Sequence, residues 1–191
     1  MPDDATTAKA HAMDSPILET ERLILRRPEA QDFDGWAEFC ADPVSMRFLG
    51  GELPRAAAWR NMLTISGAWL IQGFSYFSVI EKASGAWIGR VGPWFPEGWP
   101  GPEVGWGILR SHGGRGFAVE AATAALDFAF DTLGWDRVIH IIHPENTPSQ
   151  AVARRVGSGL LGPVNLPAPL ETWPSEAWGQ TREAWRARVR R

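Results

Sequence analysis

The chain has 191 residues, 45% of them apolar, and 19 basic residues against 22 acidic ones give a formal net charge of −3. That size and apolar content support one domain with a real core, and charge spread so evenly removes the general electrostatic argument for nucleic acid or a membrane surface as partner. A single cysteine, Cys40, excludes an internal disulfide. With no signal-like apolar core in residues 1–14 and no apolar run long enough to span a bilayer, a cytoplasmic protein is expected.

Residues 1–15 are small, polar and aperiodic, so a disordered tail is expected there and a single domain over 16–191. In 18–27, Leu23 and Leu25 alternate with Arg22, Ile24 and Arg26 before Pro28, which predicts a first strand near a sheet edge. Residues 32–40 carry Phe33, Trp36, Ala37 and Cys40 at helical spacing. Residues 54–72 repeat that signal, with Pro54 suited to a first turn, an apolar stripe through Trp59, Met62, Leu63, Trp69 and Leu70, and Gly73 as the stop. Residues 74–81 and 86–94 are aromatic and β-branched runs joined by a turn ending at Gly85, the pattern of an antiparallel hairpin. The following loop, 93–102, is rich in Pro, Gly and Trp and reads as a hairpin loop or the wall of a pocket.

The fourth strand, 103–109, places Val104, Trp106 and Ile108 on one face and Glu103, Gly105 and Gly107 on the other. It runs into a turn containing Gly113, Gly114 and Gly116, then into a helix whose apolar face is Ala118, Ala121, Ala122, Ala125, Ala129 and Leu133. Glycines that let backbone approach a ligand, followed by the free N–H groups of a helix start, suit an anion; an ordinary loop into a helix is the competing reading. Residues 135–143 form a continuous apolar strand, and 146–156 a helix ended by Gly157. Two weaker strands, 160–164 and 171–178, are interrupted by Pro163, Pro167, Pro169 and Pro174, and a terminal helix, 182–191, carries a basic face. Strand alternation sends His140 and His143 to opposite faces, so no metal site is expected from them with Glu145. A phosphate loop of the Gly-Lys-Ser/Thr type is absent, and Val119 stands where a dinucleotide fingerprint needs its third glycine. Cys40 has no partner base.

Together with Thr20-Glu-Arg-Leu-Ile-Leu-Arg26, residues 42–50 and the run Pro144-Glu-Asn-Thr-Pro-Ser149 continuing to Gly157, the glycine turn resembles the GNAT superfamily of acetyl-coenzyme A-dependent N-acetyltransferases, in particular the subgroup of ribosomal-protein N-terminal acetyltransferases. The resemblance implies an α/β (α+β) fold, with a mixed, mostly antiparallel sheet of six to seven strands flanked by helices and with splayed fourth and fifth strands. It implies acetyl-CoA as cosubstrate, no metal, and an amine acceptor, either a protein N-terminus or a small molecule. The superfamily's Gln/Arg-x-x-Gly-x-Gly/Ala signature falls on Gly113, Gly114, Arg115, Gly116, Phe117 and Ala118, lacking only its first side chain. The edge at Trp106, Gly107 and Ile108 would pair with pantetheine. Asn146 and Ser149 match residues that face the thioester, while capping of their own helix is an equally good role for both.

In that scheme Glu103 is the candidate base and Ser149 the candidate proton donor, because the tyrosine common in the superfamily seven residues after the Asn is here Ala153. The same gap leaves open a non-catalytic acyl-CoA-binding module. Ser158 departs from the usual Phe after Gly157. Aromatic loops at 94–99 and 173–178 suit a flat acceptor, a homodimer contact or core packing.

Overall fold

The computed structural model describes residues 16–189; the expected tail, 1–15, lies outside them, as do the last two arginines of the basic helix. The strands are β1 (Leu18–Glu19), β2 (Leu23–Arg26), β3 (Phe77–Glu81), β4 (Trp87–Trp94), β5 (Glu103–Ile108), β6 (Arg137–Ile142), β7 (Gly159–Pro163) and β8 (Glu176–Thr181). The helices are α1 (Phe33–Ala41), α2 (Pro43–Met46), α3 (Arg55–Gln72), α4 (Phe117–Asp127), α5 (Thr147–Arg155) and α6 (Arg182–Val189). All eight strands form one sheet, ordered β1-β2-β3-β4-β5-β6-β8-β7. Every neighbouring pair is antiparallel except β5 and β6.

The eighth strand arises at the start of the chain. The first run folds back at Thr20, whose N–H donates to the Leu23 carbonyl at 3.0 Å, so that Leu18 pairs with Leu25. The strand counted fourth in the sequence is therefore β5. The last strand begins later than its sequence suggested, at Glu176 and not at Glu171, and runs on to Thr181. β8 is flanked on both sides, by β6 and β7, so it has no place for Pro174, which offers no N–H, whereas the edge strand β7 tolerates Pro163 at its end.

α4 lies on one face of the sheet. Ala121, Ala122, Ala125 and Ala129 are wholly buried against a core that includes Leu25, Phe77, Val91 and Val104, and small side chains there let the helix approach the strands closely. A second cluster, with Trp36, Phe39, Met46 and Met62, packs α1–α3 around Trp87. α3 buries Ala58, Met62, Ile65 and Trp69, while Trp59, Leu63 and Leu70 are exposed, so its buried stripe is rotated from the one expected. Trp69 sets that rotation: its indole donates to the Tyr76 carbonyl at 3.0 Å and its ring meets Phe77 edge-on at 4.9 Å.

α1 is fixed to the sheet by one buried carboxylate. Asp32 accepts from both terminal nitrogens of Arg26 at 2.8 and 2.7 Å, from the Glu29 N–H at 2.8 Å and from the Ser78 hydroxyl at 2.6 Å. The Trp87 indole completes the set by donating to Ser78 Oγ at 3.1 Å. A charge so fully hydrogen-bonded is compatible with burial, and removing Arg26 would leave it uncompensated.

The β4–β5 ladder, which carries Glu103, is packed too tightly for a side chain at Gly89: a Cβ there would strike the Gly107 carbonyl and lie 2.9 Å from Ile108 Cα. Gly89→Ala is expected to lose about 1–3 kcal/mol in urea unfolding. Gly67, inside α3 with open space around its would-be Cβ, is the control of opposite sign, since Gly67→Ala should gain about 0.5–1 kcal/mol.

Candidate active site

β5 and β6 touch at one register pair, Glu103 with Ile139, where the Ile139 N–H donates to the Pro102 carbonyl at 2.8 Å. Beyond that point the two parallel strands part. In a continued ladder the Ile141 N–H would meet the Val104 carbonyl. Instead the Glu103 side chain accepts from the Ile141 N–H at 3.1 Å, and the His140 ring, through Nδ1, takes the Val104 carbonyl at 2.6 Å. Because both backbone groups of a strand residue point the same way and alternate along the chain, the N–H and C=O of Trp106 face the same gap.

At the far end of the gap stands the glycine turn. Gly114 and Gly116 adopt φ of +73° and +85°, conformations that favour glycine, and Gly116 is the residue from which α4 starts. The first α-helical bond runs from the Glu120 N–H to the Gly116 carbonyl, so the N–H groups of Phe117, Ala118 and Val119 have no partner within the helix and point out of its positive end. A cavity of about 620 Å³ runs from this turn to the gap, lined by Trp106, Gly107, Ile108, the glycine turn and the start of α5. Arg47, Arg110, His112 and Arg155 also border it, which favours an anionic occupant.

Of the roles the sequence left open for Asn146, the helix cap is present. It lines the cavity, and its side-chain oxygen caps α5 by accepting from the Ser149 N–H at 3.2 Å. Ser149 Oγ is 3.4 Å from the Trp106 indole nitrogen, which donates to it. Arg115 is turned elsewhere: it pairs with Glu81 at 2.9 Å and lies over the Phe117 ring, outside the cavity wall. Ala153 is fully buried with Ile142 and Trp178, so the position that carries a tyrosine in the superfamily is here part of the core.

A second cavity, about 260 Å³, opens on the face of β5 that carries Glu103, and Phe48 and Leu49 form the wall shared with the first. Its lining is aromatic, with Phe48, Tyr76, Trp94, Trp99 and Trp173, and Arg90 enters it from β4. The carboxyl of Glu103 is buried there and accepts from the Trp99 indole at 2.7 Å as well as from Ile141. Burial lifts its pKa to about 7; the two hydrogen bonds and the nearby Arg90 charge restrain the rise. That value suits a group that must accept a proton near neutral pH. Cys40, by contrast, is buried with its thiol pushed up by desolvation, which does not favour a thiolate nucleophile.

His140 and Ser158, for which the sequence offered no role, span the splay together. His140 Nδ1 must donate to the Val104 carbonyl, which leaves Nε2 to accept from Ser158 Oγ at 2.8 Å; Ser158 in turn accepts from Gln180 Nε2 at 3.0 Å. Trp106 lies against the same ring at 4.6 Å between centroids. Burial presses the His140 pKa to about 4, so the ring is neutral and its tautomer is set by these bonds. His143 lies on the other side, lining the Glu103 cavity and 4.8 Å from the Phe48 ring. The sequence did carry a hint of the residues that cover this face of β5: with Gly105 and Gly107 bare on the Glu103 face, side chains from elsewhere must fill that space. Tyr76 and Phe39 do so, since a Cβ on Gly105 would collide with the Tyr76 hydroxyl and one on Gly107 would sit 2.6 Å from Phe39 Cζ.

Two cavities that meet across a splayed sheet, one suited to a long anionic ligand and the other holding a titratable carboxyl, are the layout of a two-substrate group-transfer enzyme. The acetyltransferase (GNAT) domain family matches residues 22–158, and the chain belongs to that family. An uncharacterized N-acetyltransferase, p20, of Bacillus licheniformis is 32% identical over 135 residues, covering 69% of this chain and 76% of that protein. Among solved structures, an acetyltransferase from Agrobacterium tumefaciens superposes with a TM-score of 0.77 at 30% identity, covering 87% of this chain and 95% of the other. The ribosomal-protein-S5-alanine acetyltransferase of Vibrio fischeri shares the fold, with a TM-score of 0.67 at 17% identity over 89% of this chain and 98% of that one.

Glu103 and His140 give stability opposite dependences on pH. The folded pKa of Glu103, about 7, is above the ordinary 4.5, so its contribution is full below 4.5 and is lost as pH rises through 7. That of His140, about 4, is below the ordinary 6.5, so its contribution is full above 6.5 and is lost as pH falls through 4. Each amounts to about 3 kcal/mol, and between pH 7 and 5 they largely cancel. Urea unfolding over that range should show Glu103→Gln losing stability on acidification more steeply than the parent, and His140→Asn less steeply.

Proposed function

We propose that the protein transfers an acetyl group from acetyl-CoA to a primary amine by direct attack, with no acyl-enzyme intermediate. The observation that carries this reading is the placement of Glu103 in its own cavity, against the wall of the cleft that ends in the glycine turn. The cleft residues fit the cosubstrate: free N–H groups at the α4 start suit a diphosphate, and the unpaired edge at Trp106 suits the amide-bearing pantetheine arm. When bound, acetyl-CoA supplies the activated acetyl thioester.

The chain's own groups do the rest. Glu103 accepts a proton from the ammonium, directly or through water, and so exposes the amine lone pair. A new N–C bond forms as the C–S bond breaks, and the nitrogen releases its second proton to solvent as it becomes the amide. The Trp106 N–H, facing the gap, is placed to hydrogen-bond the developing oxyanion. The Ser149 hydroxyl, held by the Trp106 indole, is placed to give a proton to the departing thiolate and to regain one from solvent. The second cavity, with the Glu103 carboxyl in its wall and its pKa lifted to about 7, favours the enzyme over the sensor reading.

Acetyl-CoA is expected to raise the melting temperature of the protein, and amine addition should then release free thiol. Glu103→Gln should keep the thermal shift and lower kcat/KM about 100-fold or more. In the parent, kcat/KM should rise with pH through a midpoint near 7 as the base ionises, a limb absent from the variant. Gly116→Trp should abolish the shift, because it places a side chain at φ +85° in the cradle. Thermal protection without thiol release from any amine would overturn the enzyme reading, and no protection at all would overturn acetyl-CoA as the ligand.

A further inference from the structure

The acceptor cavity holds a cation that the transfer reaction itself does not use. Arg90 pairs with Gly107 in the β4–β5 ladder, and Trp94 pairs with Glu103, so Arg90 and Glu103 project from neighbouring strands onto one face, with Cα atoms roughly 13 Å apart along the strands. Tyr76 lies between them. Its ring is 4.9 Å from Arg90 Cζ, and its hydroxyl ends over Gly105, two residues from Glu103. The guanidinium also lies over Trp36 at 5.5 Å and Phe39 at 5.9 Å, and these rings hold it in place from behind.

What Arg90 lacks is an anion. Arg26 meets Asp32, Arg22 meets Glu120 and Arg115 meets Glu81, each within 3 Å. Among the described residues, no carboxylate lies within ion-pair distance of Arg90 and no oxygen accepts a hydrogen bond from its guanidinium. A planar cation fixed by aromatic rings, with its donors turned to a cavity, is preorganised for a carboxylate. At about 260 Å³ the cavity is at the small end for ligand sites, and the rest of its lining is mostly apolar and aromatic, with Asn61, Thr64, His143 and Ser175 as its other polar side chains.

Building on the transferase reading above, we propose that the acceptor is a small apolar α-amino acid, its amine directed to Glu103 and its carboxylate held by Arg90. The charges then match at both ends, because a zwitterion brings an ammonium to the carboxyl and a carboxylate to the guanidinium, and its side chain meets Phe48, Trp94 and Trp173. A peptide N-terminus has the amine but places a neutral amide where Arg90 waits, and a simple amine places nothing there. Arg90 is thus a specificity residue, acting on the acceptor and not on the reacting atoms.

The test is thiol release from acetyl-CoA with matched acceptors: phenylalanine, leucine, methionine and tryptophan, each beside its amide, with phenethylamine and the tripeptide Phe-Ala-Ala as further arms. The best amino acid should exceed its own amide about 10- to 100-fold in kcat/KM, the range of one charge-assisted pair. In Arg90→Met that ratio should collapse towards one, and in Arg90→Lys, which keeps the charge but not the planar fork, it should be cut but remain above that of Arg90→Met. The acid-to-amide ratio of the parent protein stands even if a variant folds poorly, and a melting curve identifies such a variant. Amides, phenethylamine or the tripeptide used as well as the free acids, or a ratio that survives Arg90→Met, would overturn the inference and leave the transferase reading intact. Thiol release from none of the arms would overturn the inference, and a further absence from a wider amine panel would take the transferase reading with it.

Discussion

The structure depends on a sheet that stops pairing in its middle. Parallel neighbours in a buried sheet normally continue for several residues, because each unpaired backbone group removed from water costs about what a lost hydrogen bond costs. β5 and β6 part after one register pair, and two side chains take over the pairing at that point: the Glu103 carboxyl receives the Ile141 N–H and the His140 ring donates to the Val104 carbonyl. The groups at the point of separation are therefore satisfied within the chain. Those further along, at Trp106, face a cavity, where an incoming chain of amide groups can complete them. The separation is satisfied at its apex and left open beyond it.

One consequence is that structural and chemical duties fall on the same carboxyl. Glu103 holds the Ile141 N–H through Oε1 while Oε2 accepts from Trp99, so its position is fixed by two donors on different elements. His140 on the opposite side is also fixed twice, by Val104 and by Ser158, and its ring supports Trp106, whose indole reaches Ser149. The candidate base and the candidate acid are in this way both referenced to the splay, one on each face of β5. A shift in β6 moves both, which ties the geometry of proton removal and proton return to a single junction.

Much of this was legible in the sequence, and the part that was not has a physical reason. The glycine turn, the alternation of Glu103 against Val104 and Trp106, and the alanine face of α4 are local patterns with short periods, and they appear as expected. The stripe of α3 was misjudged because Trp59, Leu63 and Leu70 have the hydrophobicity of core residues; the choice was made by contacts of Trp69 with Tyr76 and Phe77, which lie beyond the helix. The short helix α2 and the break between β1 and β2 are too brief to show periodicity. His140 was visible only as a residue unsuited to metal binding, since its partners, Val104, Ser158 and Gln180, are brought to it by the β5–β6–β8 order. Arg90 reads in sequence as a charge in a strand, and only packing shows that it has rings behind it and no anion before it.

Three of the chain's 11 tryptophans, Trp94, Trp99 and Trp173, line the cavity that holds Glu103. A carboxyl in contact with water alone titrates near 4.5 and is a weak base at neutral pH; one buried among purely apolar groups rises so far that it stays protonated. Tryptophan supplies both corrections in one side chain. Its large ring excludes water, which raises the pKa, and its single N–H, given by Trp99 to Oε2, favours the ionised form and limits the rise. The pKa near 7 is thus the balance of burial, which raises it, against the Ile141 N–H, the Trp99 indole and the nearby Arg90 charge, which restrain it, and the same aromatic rings line the cavity.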